Sequence, residues 1–283
     1  MLRGFETNQR WIMRCVLLFV SAALFAATPA LGQLIVGNDQ SGTATIYNVN
    51  PTTGVATPIY SGTGPDAKPW GMAYDAATNT LYWNNGSTLY KSPFGPVLTP
   101  TNVGTMMFNA ATINFVGLGF NNGKLYGTRN IATEAVYEID PGTLVASQVY
   151  VYPSAYDFGG LDFDLTDGKL YGLSDTAPSP NTPGLYHIDY LGFTQSQLAG
   201  YPAGETDIDG LAVHAGIAYY VTDGPNTTQP NFYKYDVNTG NLLGTLPSPF
   251  TGSGTFSAAT WAPEPASLAL MALAGMGLIR RRR

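Results

Sequence analysis

Gly117-Leu118-Gly119-Phe120-Asn121-Asn122-Gly123-Lys124-Leu125-Tyr126-Gly127 reads as a single β-hairpin. Its first arm alternates small and large residues, as a strand with one crowded face requires. Asn122-Gly123 then supplies the two left-handed positions of a type I′ turn, and an apolar second arm follows. Nothing in the stretch has the 3.6-residue period of a helix.

The hairpin recurs along the chain. Trp70-Gly71-Met72-Ala73-Tyr74 runs into Thr80-Leu81-Tyr82-Trp83, Gly159-Gly160-Leu161-Asp162-Phe163 into Lys169-Leu170-Tyr171-Gly172, and Asp209-Gly210-Leu211-Ala212-Val213 into Ile217-Ala218-Tyr219-Tyr220. The aligned Gly71, Gly117, Gly160 and Gly210 stand 46, 43 and 50 residues apart. That period fits a four-stranded propeller blade of ~40–50 residues. A third strand follows in several units as Ile46 to Asn50, Val136 to Asp140, Leu185 to Asp189 and Phe232 to Asp236. Turn sequences such as Asp140-Pro141-Gly142 and Asn238-Thr239-Gly240 lead on to a fourth.

The count closes as a ring. Leu34 to Gly37, Thr45 to Asn50 and Thr57 to Tyr60 supply three strands of a unit whose first strand is missing, and Ser257-Ala258-Ala259-Thr260-Trp261 supplies it from the far end. The expected fold is all-β, a five-bladed β-propeller closed by N- and C-terminal strands, with a sixth blade in residues 91–114 as the alternative. Residues 33–262 form this domain, between an N-terminal signal helix within 1–32 and a C-terminal hydrophobic helix within 263–283. In strand pattern the core resembles bacterial YVTN-type β-propellers.

The flanking segments carry export signals. Arg3, Arg10 and Arg14 precede an apolar run from Cys15 to Ala27, and Ala30-Leu31-Gly32 places small residues where a signal peptidase reads them. Cleavage between Gly32 and Gln33 is expected, after entry into the Sec export machinery. Cys15, the single cysteine, leaves with the signal, so the mature protein has no thiol chemistry. At the other end, Pro263-Glu264-Pro265 precedes fourteen uncharged residues from Ala266 to Ile279 and then Arg280, Arg281, Arg282 and Arg283. As a helix at ~1.5 Å per residue the apolar run reaches about two-thirds of a ~30 Å hydrocarbon core, and the arginines hold its end in the cytoplasm. The three parts in this order resemble the PEP-CTERM sorting signal of Gram-negative envelope proteins. That resemblance implies an exosortase partner, cleavage near Pro263 to Pro265 after a transient stay in the membrane, and delivery to the cell envelope or extracellular matrix.

Between these segments six Lys and Arg face seventeen Asp and Glu, a net charge of about −11. A phosphate backbone needs a basic footprint, so nucleic acid is excluded as a partner. Cations, basic proteins and uncharged glycans such as exopolysaccharide are compatible.

Candidate chemistry is sparse. Lys68, Asn114, Asp157, Asp207 and Thr255 each stand three residues before an aligned small position, which places them around one mouth of the channel. Lactonase-like propellers hold a divalent cation near such a mouth through oxygen ligands, so likeness to them makes Asn114, Asp157, Asp207 and Asp209 the candidate Ca²⁺ ligands. Asp162 occupies a first-strand position that is otherwise Ala or Gly, and a buried carboxylate there needs a donor or a cation. His187 and His214 lack sequence-near partners and are expected at the surface. No cofactor other than Ca²⁺ is implied, and no catalytic residue is assigned.

Three functions follow: a non-enzymatic envelope or exopolysaccharide-binding module, a Ca²⁺-dependent lactonase-like hydrolase, and a scaffold for an envelope protein. Converging carboxylates at the mouth favour the second. Exposed rings among Trp83, Tyr82, Tyr90, Tyr150, Tyr152, Tyr156, Tyr201, Tyr219 and Tyr220 favour glycan binding under the first, and a broad apolar patch favours the third.

Overall fold

The structure, a computed structural model, describes residues 32–129, 134–225 and 231–263. The signal segment, the C-terminal helix, and Glu264, Pro265 and Arg280 to Arg283 lie outside the described residues. Within them the chain is almost entirely β, with one 3₁₀ turn at Pro65–Ala67.

In chain order the strands are β1 (Gln33–Asn38), β2 (Ala44–Val49) and β3 (Ala56–Gly62); β4 (Gly71–Asp75), β5 (Thr80–Asn85), β6 (Thr88–Pro93) and β7 (Thr101–Thr105); and the short β8 (Met107–Phe108) and β9 (Ala111–Thr112). There follow β10 (Gly117–Asn121), β11 (Lys124–Thr128), β12 (Ala135–Ile139) and β13 (Ala146–Val151), then β14 (Phe158–Phe163), β15 (Leu170–Ser174), β16 (Gly184–Asp189) and β17 (Thr194–Gly200). The last are β18 (Gly210–His214), β19 (Ile217–Val221), β20 (Asn231–Asp236), β21 (Leu242–Pro247) and β22 (Ser257–Ala262).

Four blades are consecutive antiparallel sheets, β4 to β7, β10 to β13, β14 to β17 and β18 to β21. The fifth has the order β22-β1-β2-β3, so both ends of the propeller sequence contribute to one sheet. The expected five-bladed ring is therefore present. The residues in which a sixth blade was sought hold β7 and the β8–β9 ribbon, which hydrogen-bonds through Met107 N–H to the Leu144 carbonyl.

Residue size explains how the ring closes. The innermost strands β4, β10, β14, β18 and β22 touch in sequence, and β22 returns to β4. A Cβ on Gly117 would stand 2.3 Å from the Gly159 carbonyl oxygen, so glycine is the residue that lets these backbones meet. The large residues between the small ones turn toward the neighbouring blade. Five apolar clusters result, one at each blade-to-blade interface. Three interfaces repeat one aromatic contact, in which a second-strand tyrosine meets a first-strand ring of the next blade: Tyr82 with Phe120 (5.8 Å between centroids), Tyr126 with Phe163 (5.0 Å) and Tyr219 with Trp261 (5.3 Å). Burying each such ring contributes roughly 1.5–3 kcal/mol.

These contacts decide between exposed rings and rings that fill the blade interfaces, in favour of the interfaces. Trp83, Tyr82, Tyr90, Tyr150, Tyr152, Tyr156, Tyr219 and Tyr220 are all buried, and Tyr201 is half-buried. Interface packing consumes them, which leaves none as an open stacking platform. Surface placement of the histidines is corrected. His214 stacks on the Trp261 indole at 4.6 Å and 8°, and His187 is half-buried beside Tyr171.

The seam is well tied. Six residue pairs join β1 to β22, from Gln33 with Ala262 to Asn38 with Ser257. At the Ser257 end, Asn38 Nδ2 donates to the carbonyls of Asp223 (2.8 Å) and Gly252 (2.9 Å), and Asp39 Oδ1 accepts the Thr255 and Phe256 amides. At the Ala262 end the chain continues toward the tail, where Gly32 is buried with no room for a Cβ against Trp261.

Candidate functional site: a carboxylate cluster at one mouth

Antiparallel pairing brings two kinds of segment to the same end of each blade, the run entering the first strand and the exit of the second. In blade β18 to β21 Gly210 pairs with Val221, so Asp209 and Asp223 both project from that end. In blade β14 to β17 Phe158 pairs with Ser174, which sets Asp157 opposite Asp175. The second pair is locked by two bonds, from Asp157 N–H to Ser174 Oγ (2.9 Å) and from Asp175 N–H to the Asp157 carbonyl (3.0 Å).

Backbone economy in one blade admits the acid of the next. A Cβ on Gly159 would lie 2.1 Å from Asp209 Oδ1, and the register of β14 slips between Phe158 and Leu161 where Asp209 fits in. Ligand oxygens of Asp175, Asp207 and Asp209 consequently lie within 4.8 Å of one another. Asp207 is exposed, Asp175 half-buried, and Asp209 and Asp223 are 6% and 8% exposed. Asp175 Oδ1 accepts the Tyr201 hydroxyl at 2.5 Å. Asp223 Oδ1 and Asp157 Oδ1 are out of reach of water and accept no hydrogen bond.

The electrostatics follow from this crowding. Burial pushes the Asp175 carboxyl up to about 7, with Asp207 and Asp157 adding to the rise and Tyr201 opposing it. Burial likewise lifts Asp223 to about 8, with Ser257 opposing and Asp207, Asp39 and Asp175 reinforcing. Asp209 is held well above the usual carboxylate range by burial and then by Asp223 and the other three aspartates, and Asp157 is raised by burial and Asp207. The two ion pairs among the described residues, Lys124 with Asp140 and Lys169 with Asp167, lie elsewhere and supply no cation to the cluster.

Of the candidate ligands read from the sequence, the structure brings Asp207 and Asp209 together and puts Asp157 in their field. Asn114 instead lies exposed beside the Gly86 turn. Asp175 and Asp223 were missed, although a polar residue followed by Asp at the second-strand exit recurs as Asn38-Asp39, Ser174-Asp175 and Thr222-Asp223. Asp162 is a separate matter. Its Oδ2 accepts the Val213 amide of the next blade at 2.8 Å, and its Oδ1 stands 3.5 Å from Thr260 Oγ1 on the closing strand. It is a tie among three blades, satisfied without a cation. A surface groove of about 700 Å³ lies away from the mouth, along β13 and the β16–β17 hairpin, lined by Gln148, Tyr150, Val151, Pro153, Phe193 and Gln195.

Residues 262–283 match the PEP-CTERM protein-sorting motif, a signal that implies recognition by an exosortase. No curated protein matches the chain. Among solved structures it is similar to one described as the crystal structure of a nidogen/laminin complex, with a TM-score of 0.51 and 14% identity over 82% of this chain and 98% of that one. It is also similar to TolB from Acinetobacter baumannii, with a TM-score of 0.49 and 12% identity over 83% of this chain and 58% of that one. At 14% identity the likeness to the first of these is one of fold. Among the described residues no helix is long and apolar enough to cross a membrane, and the C-terminal helix read from the sequence lies outside them.

Proposed function

We propose that this protein is an exported β-propeller, sorted by an exosortase into the cell envelope or its exopolysaccharide matrix, where it serves as a non-enzymatic binding module through its acidic mouth. The observation that carries this reading is the placement of the sorting motif. It begins at Ala262, whose partner Gln33 is at one end of the seam, while Ser257, Asn38 and the Asp223 loop are at the other. A chain tethered by its tail thus presents the carboxylates on the side away from the tether. His214 does not join the carboxylates, since it ends β18 at the opposite end from Asp209.

Fractionation of a host carrying an active exosortase tests the reading. The wild-type chain is expected in the outer envelope or medium, and a chain with Arg280 to Arg283 replaced by Ser, or a host lacking the exosortase, is expected to keep it at the inner membrane. Unchanged distribution in both cases overturns it.

A second reading, a cation-dependent lactonase-like hydrolase, is favoured by one observation, the convergence of Asp175, Asp207 and Asp209. Under it, lactone hydrolysis appears with a divalent cation and disappears in Asp209→Asn. No turnover by the wild-type protein rejects it.

A further inference from the structure

We propose that the outer edge of β13 takes an extended, uncharged peptide segment of a partner protein as an added strand, and that the groove beside it receives apolar side chains of that segment. The site stands apart from the carboxylate mouth and holds whatever the mouth binds.

β3, β7, β13, β17 and β21 are the outermost strands of the five blades, so each presents a row of backbone groups with no further strand of its own sheet beyond it. Such an edge recruits other strands unless proline, a break in the ladder, charge or a covering loop blunts it. Four of the five are blunted. β3 holds Pro58, and its Ile59 carbonyl accepts the Leu98 amide (2.9 Å). β7 and β21 hold Gly104 and Gly244 at positive φ (137° and 147°), which interrupts a regular ladder, and β21 ends in Pro247. β17 ends in Gly200 and lies under the Gly240 turn, where a Cβ would stand 2.4 Å from the Leu198 carbonyl oxygen. β13 reads Ala146-Ser147-Gln148-Val149-Tyr150-Val151, without proline, glycine or charge. A register shift against the neighbouring strand occurs in all five blades and does not set β13 apart.

The chain itself begins to fill this edge. Met107 bridges Val145 in parallel and its N–H donates to the Leu144 carbonyl (2.9 Å), but β8 then turns back into β9. From Ala146 to Val151 the outward backbone groups meet no backbone partner among the described residues. A strand laid there continues where β8 leaves off. Six residues at ~3.4 Å each give about 20 Å of edge, room for a guest of about six residues.

The groove of about 700 Å³ gives the guest its chemistry. Gln148, Val149, Tyr150 and Val151 all line it. Successive strand side chains point to opposite faces, so a groove that touches all four runs along the edge rather than over one face. Its far wall is the turn between β16 and β17, where Phe193 is 66% exposed with its ring 6.0 Å from that of Tyr150. Val151 is exposed as well, and no lining residue is charged. A charged guest side chain would find no counter-charge here. Backbone hydrogen bonds need none, and apolar guest side chains leave water on meeting Phe193, Val151 and Pro153.

A displayed library of short random peptides, panned on the protein as the host exports it, tests the proposal, with the enriched peptides synthesised and titrated by fluorescence anisotropy. Uncharged segments rich in β-branched and aromatic residues are expected. Phe193→Asp and Gln148→Lys, both at exposed positions, are each expected to weaken their binding about tenfold or more, while Thr245→Lys on β21 leaves it unchanged. Bound peptide is expected to slow hydrogen exchange at amides within Ala146 to Val151, a change that contact with side chains alone does not produce. A library that yields no uncharged segment, or peptides that bind both variants as well as the wild type, overturns the proposal. Protection of the same amides by self-association, read as a dimer in sedimentation, or by the neutral glycan cellohexaose in place of peptide, overturns it equally.

Discussion

Asp162 shows how one side chain serves the ring. It is buried, and its carboxyl is held well above the usual range by burial, against the pull of the Val213 amide. Asp162→Ala leaves that amide without an acceptor and is expected to cost about 1–3 kcal/mol, while Asp162→Asn, which keeps an oxygen in place, costs much less. Urea melts of the two variants check the difference, and equal losses would mean that the Val213 bond is not what holds the site. The sequence marked Asp162 as an anomaly because four aligned strands defined what the position ought to hold. It did not disclose the partner, since Val213 and Thr260 are 51 and 98 residues away.

At the scale of the element, β22 is both the last strand of the propeller and the start of the sorting motif. Trp261 is 6% exposed, stacked between His214 and Tyr219 at the interface with β18 and β19. Trp261→Ala is expected to destabilise the protein by about 3–5 kcal/mol, read as a lower urea midpoint. The stack also makes stability depend on pH. Burial lowers the His214 pKa below 6.5, with Asp164 opposing, so the unfolded chain binds the extra proton just below that pH. This contribution is complete above about pH 6.5 and is lost as the pH falls through the folded value. Urea melts at pH 7.5 and 5.5 are expected to show a larger loss for the wild type than for His214→Gln. Similar losses would place the imidazole in solvent. The strands themselves were readable because small-large alternation is local, as in Gly117 to Phe120. The His214–Trp261 stack was not, because it depends on ring closure across 47 residues of sequence. Asp175 and Asp223 escaped for a similar reason. Each follows a second strand, and only the register with the first strand shows that this exit shares a mouth with Asp157 and Asp209.

For the whole molecule, the ring has two chemically different ends. One end of the ring gathers carboxylates from adjacent blades, and the other releases the chain into its sorting motif at residue 262. Under the proposed tethering by the tail, the acidic mouth would face away from the bilayer, where it avoids anionic headgroups. The Pro-Glu-Pro element comes directly after the closing strand, so removal of the tail leaves all five blades intact. The most direct test of the account is the intact mass of the protein recovered from outside the inner membrane of a host with an active exosortase. The expected chain begins at Gln33, ends close to Pro263 to Pro265 and retains the whole of β22. A recovered chain that still carries Arg280 to Arg283 would contradict it.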